Sequence, residues 1–135
     1  MGVATTRKPC LLDTDILNDY LRSQPQAATL FDKLPDGCAV CALSVAELHA
    51  EVREGAEREA LNALLSSFTA IEVSAEIAAQ GGLLRLDWGK SHGVGLTDAL
   101  IAATALHSGC VLLSLNSKHF PILGTDQLVV PYEKP

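Results

Sequence analysis

Apolar residues along this chain fall into two patterns. Short continuous runs occur at CLLD (10–13), CAVCAL (38–43), AIEV (70–73), CVLLSL (110–115) and LVV (128–130). Each is too short for a helix and lacks the polar alternation of a half-exposed strand, so each predicts a short strand covered on both faces. Between the runs, apolar positions recur at helical spacing. Ala27, Ala28, Leu30, Phe31 and Leu34 follow Pro25, which suits a first helical turn, and PDG (35–37) ends that stripe as a turn. SVAE (44–47) has the form of a capping box and predicts a helix opening at Ser44, with Val45, Leu48 and Val52 on its apolar face and a break at Gly55. Leu61, Leu64, Leu65 and Phe68 mark the next helix.

Residues 74–88 predict another helix, weakened at Gly81 and Gly82, and GKSHGVG (89–95) reads as a loop. Thr97 and Asp98 then open a helix that Gly109 closes. Strands alternating with helices argue for an α/β fold: a central parallel sheet of four to five short strands with helices on both faces. The expected organisation is an N-terminal tail, 1–9, and one domain, 10–135.

Composition narrows the class. The chain has 135 residues, 48% hydrophobic and 19% charged, enough for one packed core and far from disordered or repetitive sequence. No apolar run approaches the roughly 18 to 20 residues of a membrane helix, and no apolar core of a signal peptide follows the first residues, so a cytoplasmic location is expected. Cys38 and Cys41 have a CxxC gap, but the second ligand pair of a zinc site is missing; Cys10, Cys38, Cys41 and Cys110 read as buried strand cysteines. The net charge of −6 and only six aromatics disfavour passive nucleic-acid binding, so contact with phosphates requires cations to mask acids.

Those acids sit in a telling place. Ligands of open parallel sheets gather outside the carboxyl ends of the strands. Asp13 ends the first strand, Asn116 follows CVLLSL, Glu47 lies at the start of the helix after CAVCAL, and Asp98 lies in the first turn of the helix leading to CVLLSL. Glu47 and Asp98 each have an adequate local explanation as helix-start acids. Asp13 has none, and the coincidence of all four at one edge calls for a divalent cation. Oxygen-only donors favour Mg²⁺, with Mn²⁺ as substitute, and a water polarised by such an ion can hydrolyse a phosphodiester. Gly89-Lys90-Ser91 resembles the end of a phosphate-binding loop, but Leu84 stands where that motif needs glycine.

LLDTDIL (11–17), SVAELHAEV (44–52), GLTDALIAATALHSG (95–109) and VLLSLNSKHF (111–120) resemble, in order and spacing, the PIN-domain ribonucleases, most closely the VapC-like toxins of bacterial toxin–antitoxin pairs. The resemblance implies a three-layer fold and a Mg²⁺-dependent endoribonuclease toxin. It implies that Asp13, Glu47 and Asp98 bind the metal, with Asn116 at a position the family fills with Asp or Asn. An amide there carries no charge, which favours one firmly held ion over two. Thr14 and Ser114 would orient a water or a carboxylate. Asp15 is either a further supporting residue of the site or the cap of the following helix. Arg22, Lys118 and His119 are the cations nearest in sequence for contact with RNA. The implied partners are a cognate VapB-like antitoxin, whose apolar helix lies in a groove and whose basic residue enters the acidic pocket, and a second copy of the chain.

Two other readings compete. A hydrophobic strand followed by DxD also opens haloacid-dehalogenase-like phosphatases, with Asp13 as nucleophile and Asp15 as acid/base, though the downstream Lys and late acidic pair of that family do not appear in order. A non-catalytic PIN-like module that only binds its antitoxin is favoured by Asn116 alone.

Overall fold

The computed structural model describes residues 8–133; the predicted tail lies, for residues 1–7, outside them. Five short strands, β1 (Cys10–Leu12), β2 (Ala39–Cys41), β3 (Thr69–Ile71), β4 (Val111–Leu113) and β5 (Leu128–Val129), form one sheet in the order β3-β2-β1-β4-β5. Every pairing is parallel, with Leu11 opposite Ala39 and Leu112. Six helices connect them: α1 (Thr14–Leu21), α2 (Pro25–Lys33), α3 (Ala42–Glu51), α4 (Ala56–Leu65), α5 (Ala75–His92) and α6 (Leu96–Ser108). The predicted α/β class and strand count hold. None of these helices is long and apolar enough to cross a membrane.

Strand residues alternate between two cores, because successive side chains of a strand point to opposite faces. Cys10, Leu12, Val40 and Leu113 pack with Ile16, Leu17, Leu48 and Leu61 of α1, α3 and α4. Leu11, Ala39, Cys41 and Leu112 pack on the other side with Ile101, Ala102 and Ala105 of α6 and with Phe120. Leu11, Leu12 and Leu112 are fully buried, each contributing about 1.5–3 kcal/mol over an exposed position. Cys10, Cys38 and Cys41 are buried, as their place in the apolar runs suggests, and Cys110 is half-buried.

Several element boundaries differ from the sequence reading. The run CAVCAL keeps only Ala39–Cys41 as strand, and α3 begins at Ala42. Its neighbour β1 turns into α1 at Asp13, so pairing on that side ends at the same level. There is accordingly no capping box: Cys41 is the N-cap, without a side-chain bond, and Ser44 is buried inside the first turn. Residues 89–92 are the last turn of α5 rather than a loop, and the helix stops at Gly93, which takes the left-handed conformation. Gly81 and Gly82 do not interrupt α5, which runs through both. Gly81 lies so close to α6 that a Cβ there would sit 3.1 Å from the Leu100 Cα, so the glycine serves close approach. Phe68, predicted to end the fourth helix, lies beyond the last residue of α4.

Candidate active site

Strand order reverses between β1 and β4, since the chain builds outward from β1 through β2 to β3 and then returns to β1's other side. The crevice beyond the carboxyl ends of those two strands is the expected ligand position of such a sheet. β1 delivers Asp13 there, and β4 delivers Ser114 and Asn116. Asp98, third residue of α6, joins them, because that helix runs back antiparallel to the strands and starts at the same edge.

Asp13 is the centre of the network. It is only 7% exposed. It caps α1 through Oδ1, which accepts from the Thr14 N–H at 2.8 Å, and Oδ2 accepts from the Ser114 hydroxyl at 2.7 Å. Burial pushes its carboxyl up to about 6 and the charge of Asp15 pushes the same way, against the lowering effect of those two hydrogen bonds; Asp98 adds a smaller upward push.

Asp15 lies in this cluster, as a supporting position would, and not as the cap of α1. The strand ends at Leu12, so Asp15 occupies the second position of α1 instead of an alternating strand position, and it does not cap the helix. Its Oδ2 accepts from the Leu115 N–H at 3.0 Å and from the Asn116 Nδ2 at 2.8 Å. Its Oδ1 is buried and has no hydrogen-bond partner among the described residues. Burial raises its pKa as well. Asn116 thus meets the cluster through its amide nitrogen.

Glu47 stands further out, exposed, in the second turn of α3. Thr14 Oγ1 lies 2.7 Å from Glu47 Oε1 and 2.8 Å from Ser44 Oγ. A carboxylate only accepts, so the single Thr14 proton goes to Glu47 and Ser44 is left to donate to Thr14. Ser44 was missed as a site residue because its S-x-x-E spacing to Glu47 matched a helix cap; that same spacing puts both on one helix face. Asp98 is half-buried and its pKa is raised by burial and by Glu47, against the lowering effect of His119, whose Nδ1 is 3.7 Å from Asp98 Oδ2. His119 and the exposed Lys118 sit in the single 3₁₀ turn after β4. Arg22, in contrast, caps the opposite end of α1, about 13.5 Å along the helix axis from Asp13, and is not brought to the cluster.

The donor set fits a hard divalent cation. Apart from the His119 ring at the rim, the nearby acceptors are oxygens, acids raise the pKa values of Asp13 and Asp98, and the buried Asp15 Oδ1 lacks a partner among the described residues. Among the described residues no three acidic, His or Cys side chains are grouped closely enough to hold a metal ion between them. A Mg²⁺ ion here would bind through one or two carboxylates and keep several waters. Beside Asp15 and Asn116 opens a cleft of about 650 Å³, walled on its far side by Val130, Tyr132 and Glu133.

Comparison with known proteins agrees with this architecture. Ribonuclease VapC19 of Mycobacterium tuberculosis is 40% identical over 126 residues, covering 90% of this chain and 98% of that protein. Ribonuclease VapC10 of the same organism is 37% identical over 128 residues, covering 93% and 94%. A toxin–antitoxin complex from Klebsiella pneumoniae contains a chain of the same fold, with a TM-score of 0.80 and 28% identity over 93% of this chain and 99% of that one. The PIN domain is matched over residues 10–123, and the chain therefore belongs to the PIN-domain family.

Proposed function

We propose that this protein is a metal-dependent endoribonuclease, the toxin of a toxin–antitoxin pair, cleaving RNA at the Asp13 edge of the sheet in the cytoplasm. The observation that carries the reading is the group of partly buried carboxylates, Asp13, Asp15 and Asp98, placed at the sheet's switch point with raised pKa values. Relatives named as ribonucleases support the reaction class. Asp13, Asp98 and Glu47 would hold Mg²⁺, which Mn²⁺ can replace, and the bound ion supplies a polarised water and neutralises developing charge on the phosphate.

The chain's own groups hold that centre in place. Ser114 and the Thr14 N–H fix both oxygens of Asp13, Thr14 fixes Glu47, and Leu115 with Asn116 fixes Asp15. His119 and Lys118, at the rim, are positioned to meet RNA phosphates. Membership in the PIN family leaves the phosphatase reading without a framework, and the Asp15 carboxylate, engaged by a backbone N–H, is poorly placed for acid/base work.

An antitoxin is the expected partner. A groove of about 680 Å³ between α1, α2 and α4, with apolar Tyr20, Phe31, Leu34 and Phe68 beside polar Asp32 and Asp36 in its lining, suits an amphipathic helix that carries basic residues. The acidic edge attracts a basic side chain, and the likeness to a toxin–antitoxin complex agrees. A second copy of the chain is the other expected partner. The test is incubation of purified protein with cellular RNA, with Mg²⁺ and with chelator, followed by mapping of new RNA ends. Ends that appear only with metal, and vanish when the antitoxin is added, are expected; no cleavage with either Mg²⁺ or Mn²⁺ would favour the non-catalytic module instead.

A further inference from the structure

The last two turns of α5 carry side chains that the acidic centre does not use. Arg85, Trp88 and His92 follow at i, i+3 and i+7 and form one stripe of the helix. The Trp88 and His92 rings are 4.9 Å apart, tilted by 55°, and Ser91 Oγ lies 2.7 Å from His92 Nδ1. Gly89 shares the stripe and leaves it open for the Arg85 guanidinium: a Cβ there would come within 2.9 Å of Arg85 Cζ. Among the described residues the ion pairs engage Arg53, Arg58, His107 and His119, so Arg85 is an uncommitted cation.

Two contacts locate this stripe. Gly81 packs on Leu100, and Glu76 Oε2 lies 3.9 Å from His107 Nδ1. Together they fix an antiparallel register in which Leu96, the first residue of α6, comes level with about Leu86. The six residues from there to His92 therefore stand about 9 Å beyond the end of α6 that carries Asp98. The stripe also continues the face that packs on α6 lower down, through the buried Ile77 and Gly81. Where α6 begins, that face runs on past the helix end that carries Asp98, with only the link 93–95, whose Val94 is buried, to return beside it.

A π-face next to an uncommitted guanidinium is the equipment that sequence-tolerant binding of unpaired nucleotides needs, and it is notable on a chain of net charge −6 with one tryptophan. We propose that Arg85, Trp88 and His92 form a wall for single-stranded RNA: a base flanking the cleaved bond stacks on the Trp88–His92 face while Arg85 meets an adjacent phosphate. The substrate class rests on the ribonuclease reading above; the location does not.

Trp88 makes binding directly visible. With the Asp13→Asn protein, titration with a short mixed-sequence single-stranded RNA is expected to change the tryptophan fluorescence saturably. Trp88→Ala is expected to weaken binding, read by fluorescence polarisation of labelled RNA, and to raise KM about 5- to 100-fold with kcat nearly unchanged. Gly89→Ala, which displaces Arg85 without loss of a contact, is expected to weaken RNA binding while thermal stability holds or rises. Lys90→Gln removes the same charge as Arg85→Gln but from another stripe, and is expected to have the smaller effect. The wall is refuted if Trp88→Ala and Gly89→Ala, both folded by circular dichroism, bind and cleave with wild-type KM, or if the fluorescence answers only to a protein partner. Binding through Trp88 without cleavage by the wild-type chain would instead sink the ribonuclease reading and leave the wall standing.

Discussion

The amide nitrogen of Asn116 lies 2.8 Å from Asp15 Oδ2, a bond that an acid at position 116 could not donate at neutral pH. The uncharged residue therefore stabilises a carboxylate that burial already disfavours, in a cluster that repels itself. Replacing Asn116 by Asp would set two charges against each other and add a metal ligand. Asn116→Asp is expected to lower the metal-free melting temperature, at a cost of about 1–3 kcal/mol for the lost bond and the new repulsion, and to bind Mg²⁺ more tightly. Calorimetric titration with Mg²⁺ and melting in chelator check both signs; unchanged affinity would remove position 116 from the metal environment.

Asp13→Asn separates charge from shape. Asparagine caps a helix about as well as aspartate, and the Ser114 hydroxyl can rotate to accept from the new amide. We expect the metal-free fold to be retained or slightly more stable, because a buried charge is gone. Cleavage should fall by at least about 100-fold if the Asp13 charge holds the catalytic ion. Retention of most activity in a folded Asp13→Asn protein would move the chemistry away from β1.

The pH dependence follows from the same carboxylate. Asp13 titrates near 6 in the folded chain against an ordinary 3.8, so the folded state holds this proton more firmly than the unfolded state does. Stability from this group is full below the unfolded value and is lost as pH rises through about 6, on the order of 3 kcal/mol in total. Asp15 and Asp98 shift in the same direction. In chelator, the melting temperature should rise as pH is lowered from 7 to 5, and saturating Mg²⁺ should flatten that slope by neutralising the carboxylates at pH 7. A midpoint that falls on acidification in chelator contradicts the buried, uncompensated state of Asp13.

Much of this arrangement was legible in the chain, and the misses have physical causes. Leu11, Leu12, Leu112 and Leu113 read as central strand because both faces of a parallel sheet are covered, which removes polar alternation. That placed Asp13, Asp98 and Asn116 at one edge without any knowledge of contacts. Asp15 was obscured because residues two apart share a face of a strand but point apart on a helix, and the chain changes from one to the other at Asp13. Ser44 was hidden by a spacing that fits a cap equally well, since S-x-x-E describes both a capping box and two neighbours on one helix face. The turn at 89–92 read as loop because Gly89 looked like a breaker, whereas its place under Arg85 and the stop at Gly93 show up only once side chains have positions.

The paired glycines of α5 provide the last test, one that bears on the helix register beneath the proposed RNA wall. Gly81 and Gly82 are neighbours in one helix, so backbone entropy alone gives alanine the same advantage at both, about 1 kcal/mol. Their surroundings differ. A Cβ at Gly82 meets nothing within 4 Å, while one at Gly81 would lie 3.1 Å from the Leu100 Cα and closer still to its side chain. Backbone cannot yield as a surface side chain does, and overpacking of this kind costs about 1–3 kcal/mol. Gly82→Ala is therefore expected to raise the melting temperature and Gly81→Ala to lower it, in the same buffer and with circular dichroism unchanged. If both substitutions stabilise alike, α5 does not cross α6 at Gly81 and Leu100, and the projection of Trp88 past the start of α6 loses its geometric basis.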